Sequence, residues 1–132
     1  MKAIGLAFAL AGCAAAQPKP TAVDIVQKEV DAYNAQNVDA FAATYAEDAV
    51  VTRGADKTVV LQGRPAIRDF YAKLFAKYPN CRARIAERKV EGNVVWDHEI
   101  ITGRGPERPD PWDAGWVKNV VEDGLIKRLE LF

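Results

Sequence analysis

Residues 63–79 read Gly63-Arg64-Pro65-Ala66-Ile67-Arg68-Asp69-Phe70-Tyr71-Ala72-Lys73-Leu74-Phe75-Ala76-Lys77-Tyr78-Pro79. Ile67, Phe70, Tyr71, Leu74 and Phe75 recur at steps of three, four, seven and eight, the spacing of one broad apolar helix face. Pro65 suits a first helical turn, where its missing N–H costs nothing, and Pro79 stops the helix. A face that wide has to be covered. Beyond Pro79 the helical period is gone and strand alternation replaces it, so the cover is a sheet.

Four strands are predicted between Cys81 and Phe132. Arg82, Arg84, Ala86 and Arg88 share one parity; Ala83, Ile85 and Glu87 share the other. Glu91-Gly92-Asn93 is a turn, and Val94–Thr102 is the most hydrophobic strand. Gly103, Gly105, Pro106, Pro109 and Pro111 make the next segment unfit for a central strand. Alternation resumes over 112–121. Glu122-Asp123-Gly124 is a hairpin turn before the last strand, 125–132.

Upstream of residue 63, Thr21 with Asp24 three residues on signals a helix cap with an acidic first turn. Val23, Val26, Val30 and Tyr33 form its apolar stripe. A second short helix is predicted over 39–46, with Phe41 and Tyr45 on one face, then short strands over 49–52 and 58–61. The order of elements gives an α+β fold: three N-terminal helices on a curved sheet, mixed or mainly antiparallel.

Residues 1–16, MKAIGLAFALAGCAAA, carry one Lys and no acid around a short apolar run, the composition of an export signal. The run is far shorter than the roughly 20 residues that span a bilayer. Leu10-Ala11-Gly12-Cys13 resembles a lipoprotein signal, cut before Cys13, which then carries lipid; Ala14-Ala15-Ala16 offers a soluble-export site instead. The first is favoured. Residues 17–23, with two prolines, read as a tether, and 24–132 as one domain. The expected location is the periplasmic side of a bacterial cell envelope, lipid-anchored or soluble, with the membrane met only through the anchor. Cys81 is expected to be a small buried hydrophobe at a strand start.

The 132 residues hold 18 Lys+Arg against 18 Asp+Glu and one His. That length is too short for two independent cores. The charge balance argues against a nucleic-acid partner, which needs excess cation to neutralise phosphates. A single histidine forms no H-x-H or H-E-x-x-H pair, and Gly103-Arg104-Gly105-Pro106 lacks the Lys-Ser/Thr end of a phosphate loop, so no metal and no cofactor is expected.

The order of elements, with Tyr33-Asn34-Ala35-Gln36-Asn37-Val38-Asp39-Ala40-Phe41, Tyr45-Ala46-Glu47-Asp48-Ala49-Val50, Gly63-Arg64-Pro65-Ala66-Ile67-Arg68-Asp69-Phe70-Tyr71 and Glu122-Asp123-Gly124-Leu125-Ile126, resembles the NTF2-like superfamily in its SnoaL-like and ketosteroid-isomerase-like branch. The resemblance implies a cone with a deep pocket between helices and sheet, and dimers through the outer sheet face. It also implies where catalytic residues of the isomerases fall: the oxyanion-hole tyrosine near Glu29, the base at Arg53 and the second acid near Val117. An arginine cannot remove the α-proton. Steroid isomerisation is therefore not expected.

On the strand 94–102, Val94, Trp96, His98 and Ile100 share one face; Val95, Asp97, Glu99 and Ile101 share the other. Related pocket enzymes place a polar residue near His98, which favours the first set as inward. His98 is then the proton-transfer candidate, with Tyr71 as a second catalytic candidate. Arg53, Tyr45, Phe70, Trp96, Trp116 and Lys118 are candidates for ligand binding. The expected function is an exported small-molecule-binding protein, its ligand apolar or of mixed polarity, working as a homodimer. The alternative is a pocket lyase, isomerase or hydrolase acting through His98.

Overall fold

The computed structural model describes residues 18–132. The expected signal segment with Cys13, and Gln17 of the tether, lie outside the described residues.

Helix α1 (Ala22–Asn34) begins as its sequence predicts. The Asp24 N–H donates to the Thr21 hydroxyl at 3.2 Å, and the Thr21 N–H donates to the Asp24 carboxylate at 2.8 Å, a reciprocal cap. Helix α2 (Val38–Ala43) is shorter than expected. The Thr44 hydroxyl donates to the Phe41 carbonyl at 2.7 Å and closes the helix, so Tyr45 opens a strand instead of the last helical turn. Phe41 and Tyr45 still meet, with ring centroids 5.3 Å apart.

Strand β1 (Tyr45–Arg53) and strand β2 (Thr58–Gln62) form a hairpin before helix α3 (Arg64–Lys77). Strands β3 (Arg82–Glu91), β4 (Val94–Thr102), β5 (Trp112–Glu122) and β6 (Leu125–Leu131) follow as a meander. Asp123 and Gly124, at φ 51° and 74°, make the left-handed turn that joins β5 to β6. The six strands lie in the order β2-β1-β6-β5-β4-β3, with β1 parallel to β6 and every other pair antiparallel.

The three helices cover one face of this curved, mostly antiparallel sheet, as the NTF2-like resemblance implied. Val26, Phe41, Tyr45, Ile67, Val95 and Ile126 are fully buried between the layers. Each apolar side chain of that size stabilises the fold by about 1.5–3 kcal/mol. Cys81 is buried, as expected, with Sγ 2.8 Å from the Tyr33 hydroxyl. Among the described residues no helix is long and apolar enough to cross a membrane.

Candidate functional site

The parity of β4 decides which side chains meet the interior. Val95, Asp97 and Ile101 are buried at 0%, 0% and 4% exposure, and Glu99 lines the cavity on the same face. Trp96 and His98 face away from the helices. The expectation that they line the pocket is corrected, and with it the geometric ground for proton transfer by His98. The alternation was ambiguous because each face of β4 carries both apolar and ionisable residues.

The outer face has its own order. His98 stacks on Trp116 at 5.3 Å, and its Nε2–H donates to Asp113 Oδ1 at 2.8 Å. Lys118, expected in the pocket beside Trp116, instead pairs with Glu130 Oε2 at 3.4 Å and lies 5.4 Å from the Trp96 ring centroid. Trp96 stacks on Phe132.

Inside the cone lie a cavity of about 270 Å³ toward the mouth and a narrow inner void of about 40 Å³. Tyr71, Glu99, Val117 and Leu131 line both, so the two adjoin across these four residues. Glu29, Val30, Tyr33 and Leu129 close the inner end. Arg53, Phe70, Arg104, Arg108 and Trp112 ring the mouth. The outer cavity, at about 270 Å³, lies just below the roughly 300–1,000 Å³ occupied by small-molecule pockets. Glu29, Arg53 and Val117, which stand at the isomerases' tyrosine, base and second-acid positions, all line this site.

The other expected site residues divide. Tyr71, Arg53 and Phe70 reach the cavity; Phe70 is 47% exposed at its rim. Tyr45 is instead a core residue, fully buried, and its hydroxyl has no hydrogen-bond partner.

Carboxylates set the electrostatics of the inner half. Asp97 is held by Arg88, whose Nε and Nη2 donate to its two oxygens at 2.6 Å and 2.8 Å. Arg88 also donates to the Gln27 side chain at 2.8 Å, which ties the sheet to α1. Burial, then the nearby Asp97 charge, pushes Glu99 up to about 7, with Arg88 opposing. Burial, then Glu99 and Asp97, pushes Glu29 well above the usual carboxylate range. Burial and the same two glutamates also push Tyr71 up, so its phenol stays protonated. A carboxyl titrating near 7 can donate or accept a proton at neutral pH, and a neutral phenol beside it donates a hydrogen bond.

Asp97 and Glu99 are the pocket candidates the sequence offers once the other face of β4 turns inward; Arg88 is not marked by it. The signal was there: a two-residue turn at Gly92-Asn93 registers Arg88 opposite Asp97, an ion pair that belongs on one face of the hairpin.

Residues 26–129 match the SnoaL-like domain family. No curated protein matches the chain significantly. Among solved structures, an uncharacterised cystatin-fold protein from Novosphingobium aromaticivorans is similar at TM-score 0.75 and 25% identity, covering 86% of this chain and 98% of that one. A putative polyketide cyclase from Sinorhizobium meliloti is similar at TM-score 0.68 and 28% identity, covering 83% and 94%. A protein of ketosteroid-isomerase-like fold from Catenulispora acidiphila, in complex with trimethylamine, has TM-score 0.67 at 19% identity, covering 83% and 84%, a likeness of fold alone.

Proposed function

The chain belongs to the SnoaL-like domain family of the NTF2-like superfamily, a fold built around a small-molecule pocket, and on that premise we propose that it binds a small molecule of mixed polarity inside the cone. The observation that carries this reading is the cavity inside the cone, with Glu99 and Tyr71 on its wall. Leu74, Ile101, Val117 and Leu131 offer apolar walls, while Glu99 and Tyr71 offer the few convergent polar groups that fix orientation.

A fragment library screened by thermal unfolding tests it. Cavity binders raise the midpoint of the wild-type chain, by about 2.7 kcal/mol of stability at a hundredfold excess over Kd. They leave the folded variant Val117→Trp, whose cavity is filled, unmoved. Binders that stabilise both chains equally contradict the reading.

A second reading, a pocket enzyme of lyase, isomerase or hydrolase type, is favoured by one observation, the Glu99 carboxyl and the Tyr71 phenol on one cavity wall, where burial pushes Glu99 up to about 7. In that reading Glu99 transfers the proton and Tyr71 stabilises developing negative charge. The Sinorhizobium meliloti relative, a putative polyketide cyclase, supports testing carbonyl compounds first.

Export and assembly complete the proposal. The leader over residues 1–16 directs the chain to the cell envelope, where Cys13 carries lipid; an unmodified terminus at Gln17, read by mass measurement of the native product, contradicts it. Two copies associate through the outer face of the sheet, where Trp96, Trp116 and Phe132 are incompletely covered.

A further inference from the structure

Three arginines converge on the cavity mouth from two separate parts of the chain. Arg53 ends β1, whereas Arg104 and Arg108 come from the segment between β4 and β5. Among the described residues none of the three has a carboxylate within ion-pair distance. Arg104 Nε is buried and has no hydrogen-bond partner. The acids nearest in sequence are engaged elsewhere: Glu107 with Lys77 at 3.2 Å, Asp110 with the Gly103 N–H at 3.4 Å. Glu99, on the cavity wall, draws its positive neighbour from Arg88.

Two of these guanidinium groups, those of Arg104 and Arg108, are nonetheless held in place. The Arg104 Cζ lies 4.5 Å from the Tyr78 ring centroid and 5.8 Å from that of Trp112, and the Arg108 Cζ lies 4.5 Å from Trp112. Contact with an aromatic face fixes a guanidinium while leaving its N–H edge free to donate. Gly103, just before Arg104, fits against the Asn80 carbonyl so closely that a Cβ would lie 2.3 Å from the oxygen. The segment therefore enters the mouth along one path. Positioned donors with unanswered positive charge, facing an enclosed and partly apolar space, are what an organic anion requires.

Resting on the reading of the cone as a ligand cavity, we propose that its mouth is an anion subsite and that the ligand is a monocarboxylate. The carboxylate sits among Arg53, Arg104 and Arg108, and the apolar body lies against Leu74, Ile101 and Leu131. The far end approaches Glu99 and Tyr71. Glu29, Glu99 and Tyr71 line the inner end and no Lys or Arg does, so a second negative charge there would go unanswered and the inner end of the ligand is neutral: a hydroxyl, a carbonyl or hydrocarbon.

The test uses full-length isotope-labelled protein and two matched pairs, benzoate with benzamide and cyclohexanecarboxylate with its amide, followed at the Trp112 indole N–H and the Val117 amide. The acids are expected to shift both resonances saturably and the amides to bind at least about 10-fold more weakly. Arg104→Gln and Arg108→Gln should each weaken the acids by a similar factor, and Arg104→Lys should restore part of the loss, which a folding defect would not allow. Amides that bind as tightly as acids, or acids indifferent to both glutamine variants, overturn the anion subsite while the cavity reading stands. If neither acids nor amides move Trp112 or Val117, the anion subsite is overturned, and a fragment screen that also finds no cavity binder overturns both.

Discussion

Arg88 and Asp97 form a two-point ion pair across β3 and β4, at 2.6 Å and 2.8 Å, and Asp97 has no exposure to solvent. The pair lies where α1 meets the sheet, Arg88 also reaching Gln27. Removing one partner leaves a buried charge uncompensated, which costs about 3–5 kcal/mol, whereas replacing both by apolar residues costs far less. Urea unfolding of Arg88→Met, Asp97→Leu and the double variant is expected to show the double as more stable than Arg88→Met. A double variant that is simply the sum of the singles would remove the coupling.

Glu99 makes stability depend on pH. Its folded-state carboxyl is raised from 4.5 to about 7, so the folded chain holds that proton where the unfolded chain has lost it. The contribution is fully present below about pH 4.5 and is lost as pH rises through about 7, amounting to roughly 3 kcal/mol. Asp24, Asp48 and Asp113, whose carboxyls are lowered, act in the opposite direction and below this window. Unfolding measured at pH 5 and pH 8 should therefore show a larger loss for wild type than for Glu99→Gln. Equal losses would mean that Glu99 is well solvated.

Gly103 has φ 79°, and a Cβ there would enter the Asn80 backbone. Gly103→Ala combines left-handed strain with a backbone clash and is expected to cost about 1–3 kcal/mol. It should also displace Arg104 and Arg108 and weaken binding of benzoate. Gly92→Ala is the control, since a Cβ at Gly92 meets nothing within 4 Å at a similar φ of 59°. If both variants lose the same stability, backbone strain alone accounts for Gly103.

Much of the fold is legible in residue spacing. The Thr21–Asp24 cap, the apolar face from Ile67 to Phe75 and the Asp123-Gly124 turn are local signals, and each stands where its chemistry requires. The site is less legible because its parts are not local. Strand β4 puts Asp97 and Glu99 inward, against the usual apolar rule, and only Arg88 on the neighbouring strand makes that tolerable. Tyr45 looks like a helix residue until Thr44 caps α2. Arg53 stands far in sequence from Arg104 and Arg108 and meets them only once the sheet has curled.

The outer face makes a separate expectation. With Trp96, Trp116 and Phe132 partly open, sedimentation of residues 21–132 in detergent-free buffer should give a dimer. Trp96→Glu with Trp116→Glu should give a folded monomer, because charge on that face opposes self-association. A wild-type monomer at micromolar concentration would contradict the dimer.

The most direct test of the cavity as the functional site is the side-chain carboxyl resonance of Glu99, followed through pH in the full-length protein, free and with the tightest compound from the fragment screen. A midpoint near 7 is expected in the free protein and a displaced midpoint in the complex, since a ligand in the cone replaces the remaining water around that carboxyl. A midpoint near the ordinary 4.5, the same with and without the compound, would contradict it.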